Sequence, residues 1–478
     1  MVFNPSSTAA QNLQFQQIPF KDVAKVFSNT SKELDMLTNM GKGVKFMDLE
    51  QMTLDGRPLR IDVQDSQHTY LAVRGGETPW LPGSDPDTAQ MDQIPVPGVQ
   101  QMLFYGREAY MQVMYRDTVK VAVKTQSGGY KNLYEWLISD AAEGLRNRFS
   151  VMLAGTAQGY IGKLKSAGTA GNSYTDCAVE WAGTAGLFSG ARWLLQGGFA
   201  LDAVNSSTGA LRTGSQARGR WVDPGGVAVD IGTSGAGVAV TLKAGHGGAW
   251  QAGDYLVLKD TRPATVPATQ AGYNDLPGLY GLCDVIDDGN VMPYWGSLQR
   301  SSYEFTKSLV FGNSGTLRAV SMELFQYCLS QFNQLTAQEI SYIYTRQDIM
   351  RKLTEFLIQT GTASLAQNTP ARWDANVNGN QKIGVKGVDI QPMGMSGVVR
   401  QVSSPNCPTH TAFFLNPSQI TTVMDSGPVS LDPNGDLRVP GKPVYQRAMR
   451  IRGVGPIARW PKGAGFRVDD LIGTHVAQ

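Results

Sequence analysis

The chain has few of the residues that metal and redox chemistry need. Four cysteines and four histidines are spread through 478 residues. Cys177, Cys283, Cys328 and Cys407 stand far apart and form no Cys-x-x-Cys pair, so zinc-ribbon and thioredoxin-type sites lack their basic element. Sparse thiols of this kind suit a reducing compartment, where a buried cysteine packs as a small hydrophobe. His68, His246, His410 and His475 are isolated, and none lies in a His-Glu-x-x-His helix. Charge is scarce as well: 17% of residues are charged, against about 25% in average usage. The 42 basic and 40 acidic residues leave a net charge of +2, which excludes a protein that wraps nucleic acid through bulk positive charge. No run of about 18 apolar residues occurs, so no membrane-spanning helix is expected. Met1 to Gln17 is polar and lacks the charged-then-apolar pattern of a signal peptide.

Enzymatic motifs fail one by one. The nearest approach to a nucleophile elbow, Gly232-Thr-Ser-Gly-Ala-Gly237, places its glycines wrongly. Gly162-Lys163 and Gly441-Lys442 lack the upstream glycine of a phosphate-binding loop. Gly453-x-Gly455-x-x-Ala458 mimics a dinucleotide fingerprint, but Pro456 and Pro461 deny it the helix that must follow. Asp374-x-Asn376-x-Asn378-Gly379 begins like a calcium loop, yet Val385 stands where the bidentate acid belongs, so it reads as an Asx-rich turn. Asp287-Asp288 and Asp469-Asp470 read as solvated turns. No catalytic residue, metal or cofactor is expected.

Glycine is what the chain has in plenty, 54 residues, of which 22 fall between Gly155 and Gly253. Short alternating stretches there (Gly226–Ile231, Gly237–Leu242, Asp254–Leu258) predict a small all-β module over 188–262, with turns at Asn205–Gly209, Asp223–Gly226 and Gly245–Gly248. Helical spacing of Leu133, Leu137, Ala141, Leu145, Phe149 and Met152 predicts a long helix from Lys131 to Ala154, closed by Gly155. A second helix is expected over Ser321–Asn333, a strand over Ile340–Tyr344, and a third helix over Gln347–Ile358 opened by a Thr345-x-x-Asp348 box. Further strands include Thr411–Leu415.

Charge is unevenly placed. Residues 61–106 carry Asp62, Asp65, Glu77, Asp85, Asp87 and Asp92 against Arg74 alone, a local balance of −5. The Pro- and Gly-rich run 74–87, which includes Trp80, breaks any packed element. The extended flanks Arg60–Val73 and Ile94–Tyr105 predict a two-stranded arm, marginal by itself and in need of a neighbour. Residues 438–467 hold eight basic residues and no acid: Arg438, Lys442, Arg447, Arg450, Arg452, Arg459, Lys462 and Arg467. If the acidic arm and the basic segment belong to different copies, they make a head-to-tail contact of the kind that closes rings. Glu77, Trp80, Asp85, Asp87, Asp92, Arg447, Arg450 and Arg452 are the candidate inter-subunit residues.

The order of these parts resembles the major capsid proteins of tailed bacteriophages. The resemblance rests on the extended Tyr110–Lys124, on Thr125-Gln-Ser-Gly-Gly-Tyr130, and on the long helix ending in Leu153-Ala-Gly-Thr-Ala-Gln-Gly-Tyr-Ile-Gly-Lys-Leu164. It extends to Ala252-Gly-Asp-Tyr-Leu-Val257, to Trp295-Gly-Ser-Leu-Gln-Arg300, and to the helix, strand and helix over 321–358. It implies an α+β fold with an N-terminal arm (1–60), an extended loop (61–106) and a peripheral domain with a spine helix (107–187). An inserted β-barrel-like module (188–262), an axial domain with returning strands (263–434) and C-terminal peripheral strands (435–478) follow. The implied role is a shell subunit forming hexamers and pentamers around double-stranded DNA in a virion, assembled in the host cytoplasm. Its partners would be other copies of itself, with portal, scaffolding and cement or decoration proteins, weak non-specific DNA contact and no membrane. Some members crosslink covalently through a loop lysine; here no lysine lies between Lys45 and Lys120, so a noncovalent shell is expected. The residues before the spine helix leave little room for a long scaffolding segment. An encapsulin-type nanocompartment shell shares the fold and is the close alternative. A carbohydrate-active or carbohydrate-binding protein built on the Gly-rich module, and a tail or baseplate component, are alternatives of other kinds.

Overall fold

A computed structural model describes residues 36–37, 59–64, 99–116, 149–166, 175–180, 200–212, 220–230, 239–244, 250–258, 278–352, 399–408, 410–424, 429–430, 437–438 and 444–472. Strands β1 (Leu59–Gln64) and β2 (Val99–Phe104) pair antiparallel along their whole length, from Leu59↔Phe104 to Gln64↔Val99. This is the base of the ribbon expected from the extended flanks; residues 65–98, with Glu77, Trp80, Asp85, Asp87 and Asp92, lie outside the described residues. β3 (Arg107–Arg116) follows at once. A helical stretch α1 (149–154) ends at Gly155, whose N–H returns to the carbonyls of Val151 and Met152. The rest of the predicted spine helix is outside the described residues.

The chain then enters a closed barrel of β4 (Gly162–Ser166), β5 (Thr175–Glu180), β6 (Ala200–Val204), β7 (Arg220–Asp230), β8 (Ala239–Ala244) and β9 (Tyr255–Leu258), in the order β4-β5-β8-β7-β6-β9. Two expectations change here. The barrel begins at Gly162, because β4 and β5, both before residue 188, are needed to close the ring against β9 and β8. The turn expected at Asp223–Gly226 is a bulge inside β7, marked by a register shift between Val222 and Val227. Pro224 has no N–H for the ladder, and the extra residues are absorbed without ending the strand. The turn at Asn205–Gly209 does form, with the Asn205 side chain accepting from Ser207 and Thr208 N–H.

After the barrel come α2 (Leu282–Val285), the hairpin β10 (Tyr294–Trp295) and β11 (Leu298–Gln299), β12 (Leu309–Phe311) and β13 (Arg318–Ala319). α3 (Met322–Thr336) starts where the Ser321 hydroxyl accepts the Leu324 N–H, and stops at Ala337 in the left-handed region. It runs three residues beyond the predicted end. β14 (Tyr342–Thr345) leads into α4, described over 347–352. Thr345 does not cap that helix: its hydroxyl is donated to the Thr411 carbonyl, and Arg346 supplies the first helical acceptor, to Met350.

The remaining elements are β15 (Arg400–Ser403), β16 (Ala412–Leu415), β17 (Ile420–Met424), β18 (Val429–Ser430), β19 (Leu437–Arg438), β20 (Val444–Ala458), α5 (Pro461–Ala464), β21 (Gly465–Val468) and β22 (Leu471–Ile472). One five-stranded sheet has the order β12-β21-β16-β14-β15. α3 packs on it through Phe325 and Phe332 against Phe414 and Phe466, the last two stacked with centroids 4.5 Å apart. The C-terminal segment therefore contributes β21 to the middle of this sheet, because Phe466 and Val468 fill the same apolar layer as Phe414. It is not confined to peripheral strands, as a boundary at 434/435 would have it. The second sheet is built on the 15-residue β20, flanked by β3 on one side and by β17, β18 and β19 on the other.

Candidate functional site

The ribbon is rooted in an aromatic nest. β2 sends Met102 and Phe104, both with no exposed surface, into the main core. The Phe104 ring meets Trp295 and Tyr280 edge-on, with centroids 5.2 and 5.6 Å away, and Trp295 donates its indole N–H to Ala458 of β20 at 3.0 Å. Leu103 N–H binds the Gly296 carbonyl at 2.7 Å. Gly296, at φ +51°, turns the β10–β11 hairpin directly over the nest; a Cβ there would stand 2.8 Å from both Met102 Cβ and Phe104 Cζ. Residues 65–98 thus hang from two strands whose inner ends are fixed.

A second constellation lies at the neck of the barrel. The chain leaves the body at Ala157 and returns at Gly278, whose N–H binds the Ala157 carbonyl at 2.9 Å. Cys283 N–H binds the Gly155 carbonyl at 3.1 Å, and a Cβ on Gly281 would meet the Gly155 oxygen at 2.1 Å. Only glycine allows the two passing backbones to touch there. One carboxylate holds both: Asp284 Oδ2 accepts the N–H of Ala157 at 2.7 Å and of Gly281 at 2.9 Å.

Beneath the neck a charge network is sealed from solvent. Asp284, Asp287 and Arg300 have no exposed surface and Arg467 has 3%. Asp287 Oδ2 accepts three main-chain N–H groups, from Gly289, Val291 and Met292, while its Oδ1 lies 3.5 Å from Arg467 Nη2. Arg467 also donates Nε–H to Asp469 at 2.9 Å and Nη1–H to the Ile286 carbonyl at 2.8 Å. Arg300 donates to the carbonyls of Asp284 and Asp287 and lies over the Trp295 ring. Burial pushes Asp284 up to about 7, partly offset by its two main-chain donors, and burial pulls Arg300 down to about 10. Burial also raises Asp469 and the Cys283 thiol. The expectation that Asp287-Asp288 and Asp469-Asp470 are solvated turns is corrected by these contacts. Asp287 is enclosed, and Asp470, 5% exposed, accepts the N–H of Asn313 and of Gly315 through Oδ2. The signal in the sequence was the placing of Asp284 and Asp287 within the apolar run Leu282-Cys-Asp-Val-Ile-Asp287.

The basic segment is also more engaged than its alternation implied. β20 pairs with β3 from Val444↔Arg116 to Gly453↔Arg107, which sets Arg447 opposite Val113 and Arg452 opposite Glu108. Arg452 is 3% exposed, and Arg450 Nη1 lies 3.7 Å from Glu108 Oε1 of the same chain. Lys462 reaches Glu304 at 3.8 Å, and Arg459 is exposed. The calcium-like run at 374–379 lies outside the described residues. Among the described residues, no group of three or more His, Cys, Asp or Glu side chains could hold a metal ion, and no helix is long and apolar enough to cross a membrane.

These features define the class: an α+β body with a rooted two-stranded ribbon and a β-barrel inserted at a two-strand neck. No protein-family model matches the chain, and no curated protein matches it. Solved structures similar to it are phage capsid chains and an encapsulin. The cyanophage A-1(L) capsid asymmetric unit is 10% identical, covers 91% of this chain and 92% of its own, and has a TM-score of 0.47. The cyanophage Pam1 capsid asymmetric unit is 10% identical over 90% of this chain and 93% of its own, with a TM-score of 0.34. The holo-SrpI encapsulin complex from Synechococcus elongatus PCC 7942 is 9% identical over 35% of this chain and 54% of its own, with a TM-score of 0.22.

Proposed function

We propose that this chain is a shell-forming major capsid protein, assembling through hexamers and pentamers into an icosahedral head that encloses double-stranded DNA in a virion. The observation that carries this reading is the rooted ribbon. Two paired strands are fixed in the core by Met102 and Phe104, and the segment between them, 65–98, is acidic and broken by proline and glycine. A two-stranded ribbon buries too little to be stable unaided, so a root this firm fits an arm whose burial partner is another copy. The basic segment 438–467 is the natural counterpart for the arm's Glu77, Asp85, Asp87 and Asp92, with Trp80 as an apolar anchor. Arg450 and Arg452 already have surroundings in their own chain, so the exposed Arg459 is the better-placed of the described cations. Tyr327 and Leu335 of α3, 58% and 55% exposed, offer a further apolar surface for a neighbour. Portal, scaffolding and cement proteins complete the proposed set of partners, and the shell holds without lysine crosslinks from the arm.

Negative-stain microscopy of the purified recombinant chain tests the proposal. Closed shells or capsomer rings are expected, and a monomer persisting at every concentration would refute it. Deleting 75–90 should abolish assembly while leaving a folded subunit; loss of folding would show that the arm is misassigned.

A further inference from the structure

The neck of the barrel is held by a carboxyl group whose surroundings suit its neutral form. Asp284 has no exposed surface, and its two oxygens are unlike each other. Oδ2 accepts both neck N–H groups, as a carbonyl oxygen would, whereas Oδ1 is buried with no hydrogen-bond partner. A carboxylate in that place leaves one charged oxygen without a donor, which is costly in a dry interior. A carboxylic acid carries its proton on Oδ1 and keeps both N–H bonds on Oδ2.

The charges facing Asp284 do not neutralise it. On its own element and the turn that follows stand Asp287, Asp288 and the Cys283 thiol, and just before it stands Tyr280. From the loop after β11 comes Arg300, whose two terminal nitrogens are used on the main-chain carbonyls of Asp284 and Asp287. From β21 and beyond come Arg467 and Asp469, and Arg467 is occupied by Asp469, by Asp287 and by the Ile286 carbonyl. No side-chain donor of either arginine is hydrogen-bonded to the Asp284 carboxyl.

We infer that Asp284 is a proton-dependent latch on the inserted barrel: its neutral form closes the neck between Ala157 and Gly278–Gly281, and its ionised form loosens it. The barrel's two connections would then open together while the sheets beneath stay intact. This inference concerns one subunit and holds whether or not the chain forms a shell. The sign follows from linkage. Burial raises the group from an ordinary carboxyl value to about 7, so closure is fullest near pH 4, weakens as pH rises, and levels off above about 7.

Hydrogen exchange on the full chain, read by mass spectrometry and corrected for intrinsic rates, tests the latch. Peptides covering 155–160 and 278–285 should lose protection by about tenfold per pH unit between pH 5 and 7 and change little from 7 to 8.5. Peptides covering β14 and β16 should hold their protection throughout. Asp284→Asn keeps an acceptor for both N–H groups and a neutral partner position, so its neck should stay protected at every pH. Three results would overturn the inference: neck protection flat with pH in the unaltered chain, parallel loss in β14 and β16, or an unchanged pH response in Asp284→Asn. The unaltered chain's own series decides the matter should the variant fold poorly.

Discussion

Replacing Phe104 with alanine tests whether the ribbon is anchored as the geometry indicates. Phe104 is fully buried, so truncation leaves a ring-sized void bounded by Trp295, Tyr280, Met102 and the Gly296 turn. Phe-to-Ala changes in packed cores cost about 3–5 kcal/mol, and two edge-on aromatic contacts are lost with the ring, each worth roughly 0.5–1.5 kcal/mol beyond its buried area. Because Gly296 and Met102 already touch, the void has little room to collapse, and a loss near the upper half of that range, about 4 kcal/mol, is expected. Phe104→Leu keeps apolar volume but not the ring edges and should lose roughly 1–2 kcal/mol. Urea unfolding followed by tryptophan fluorescence reads both, as a lowered midpoint at unchanged slope. Sedimentation under conditions where Phe104→Ala remains folded should show assembly impaired out of proportion to the remaining stability. A Phe104→Ala midpoint within about 1 kcal/mol of the parent would refute the rooting argument, because no large buried ring is that inexpensive to remove.

Two other outcomes follow from the buried chemistry. Arg467→Met leaves Asp287 and Asp469 facing an uncharged group and the Ile286 carbonyl without its donor, and should destabilise the chain by about 3–5 kcal/mol. Adding Asp287→Asn should recover part of that, and strict additivity in the double-mutant cycle would show that the pair is not coupled. A charged thiol reagent at pH 8 should leave Cys283, Cys328 and Cys407 unmodified in the folded chain, since all three are buried and burial raises the Cys283 and Cys328 thiols, the latter to about 11. Peptide mass spectrometry showing Cys283 labelled as fast as a free thiol would contradict the sealed network.

Local rules made α3 and the ribbon base legible, because both depend on neighbours close in sequence. Apolar spacing at three and four residues, with Ser321 before the first turn, specifies a capped amphipathic helix without reference to anything distant. The ribbon was readable because proline and glycine forbid pairing in its middle and so leave the strands to its flanks. The barrel's true start was not readable. β4 and β5 are short, and each becomes a strand only through partners such as β9 and β8, far downstream. Burial of Asp287 was hidden for the same reason: Asp-Asp-Gly-Asn is turn-forming by composition, and it does form a turn, but Arg467 comes to it from 180 residues away. Thr345 misled because the same hydroxyl can cap a helix or cross a sheet, and only the tertiary neighbour Thr411 decides.

The neck also bears on how such a chain could change over generations. Ala157 and Gly278 are already hydrogen-bonded to each other, and the core around Phe104, Trp295 and β20 receives nothing from β4 to β9 among its buried members. The barrel therefore sits in the gene as an interchangeable cassette. Lineages can lengthen, replace or discard what is threaded between those two residues while the fold beneath inherits the same pair of ends.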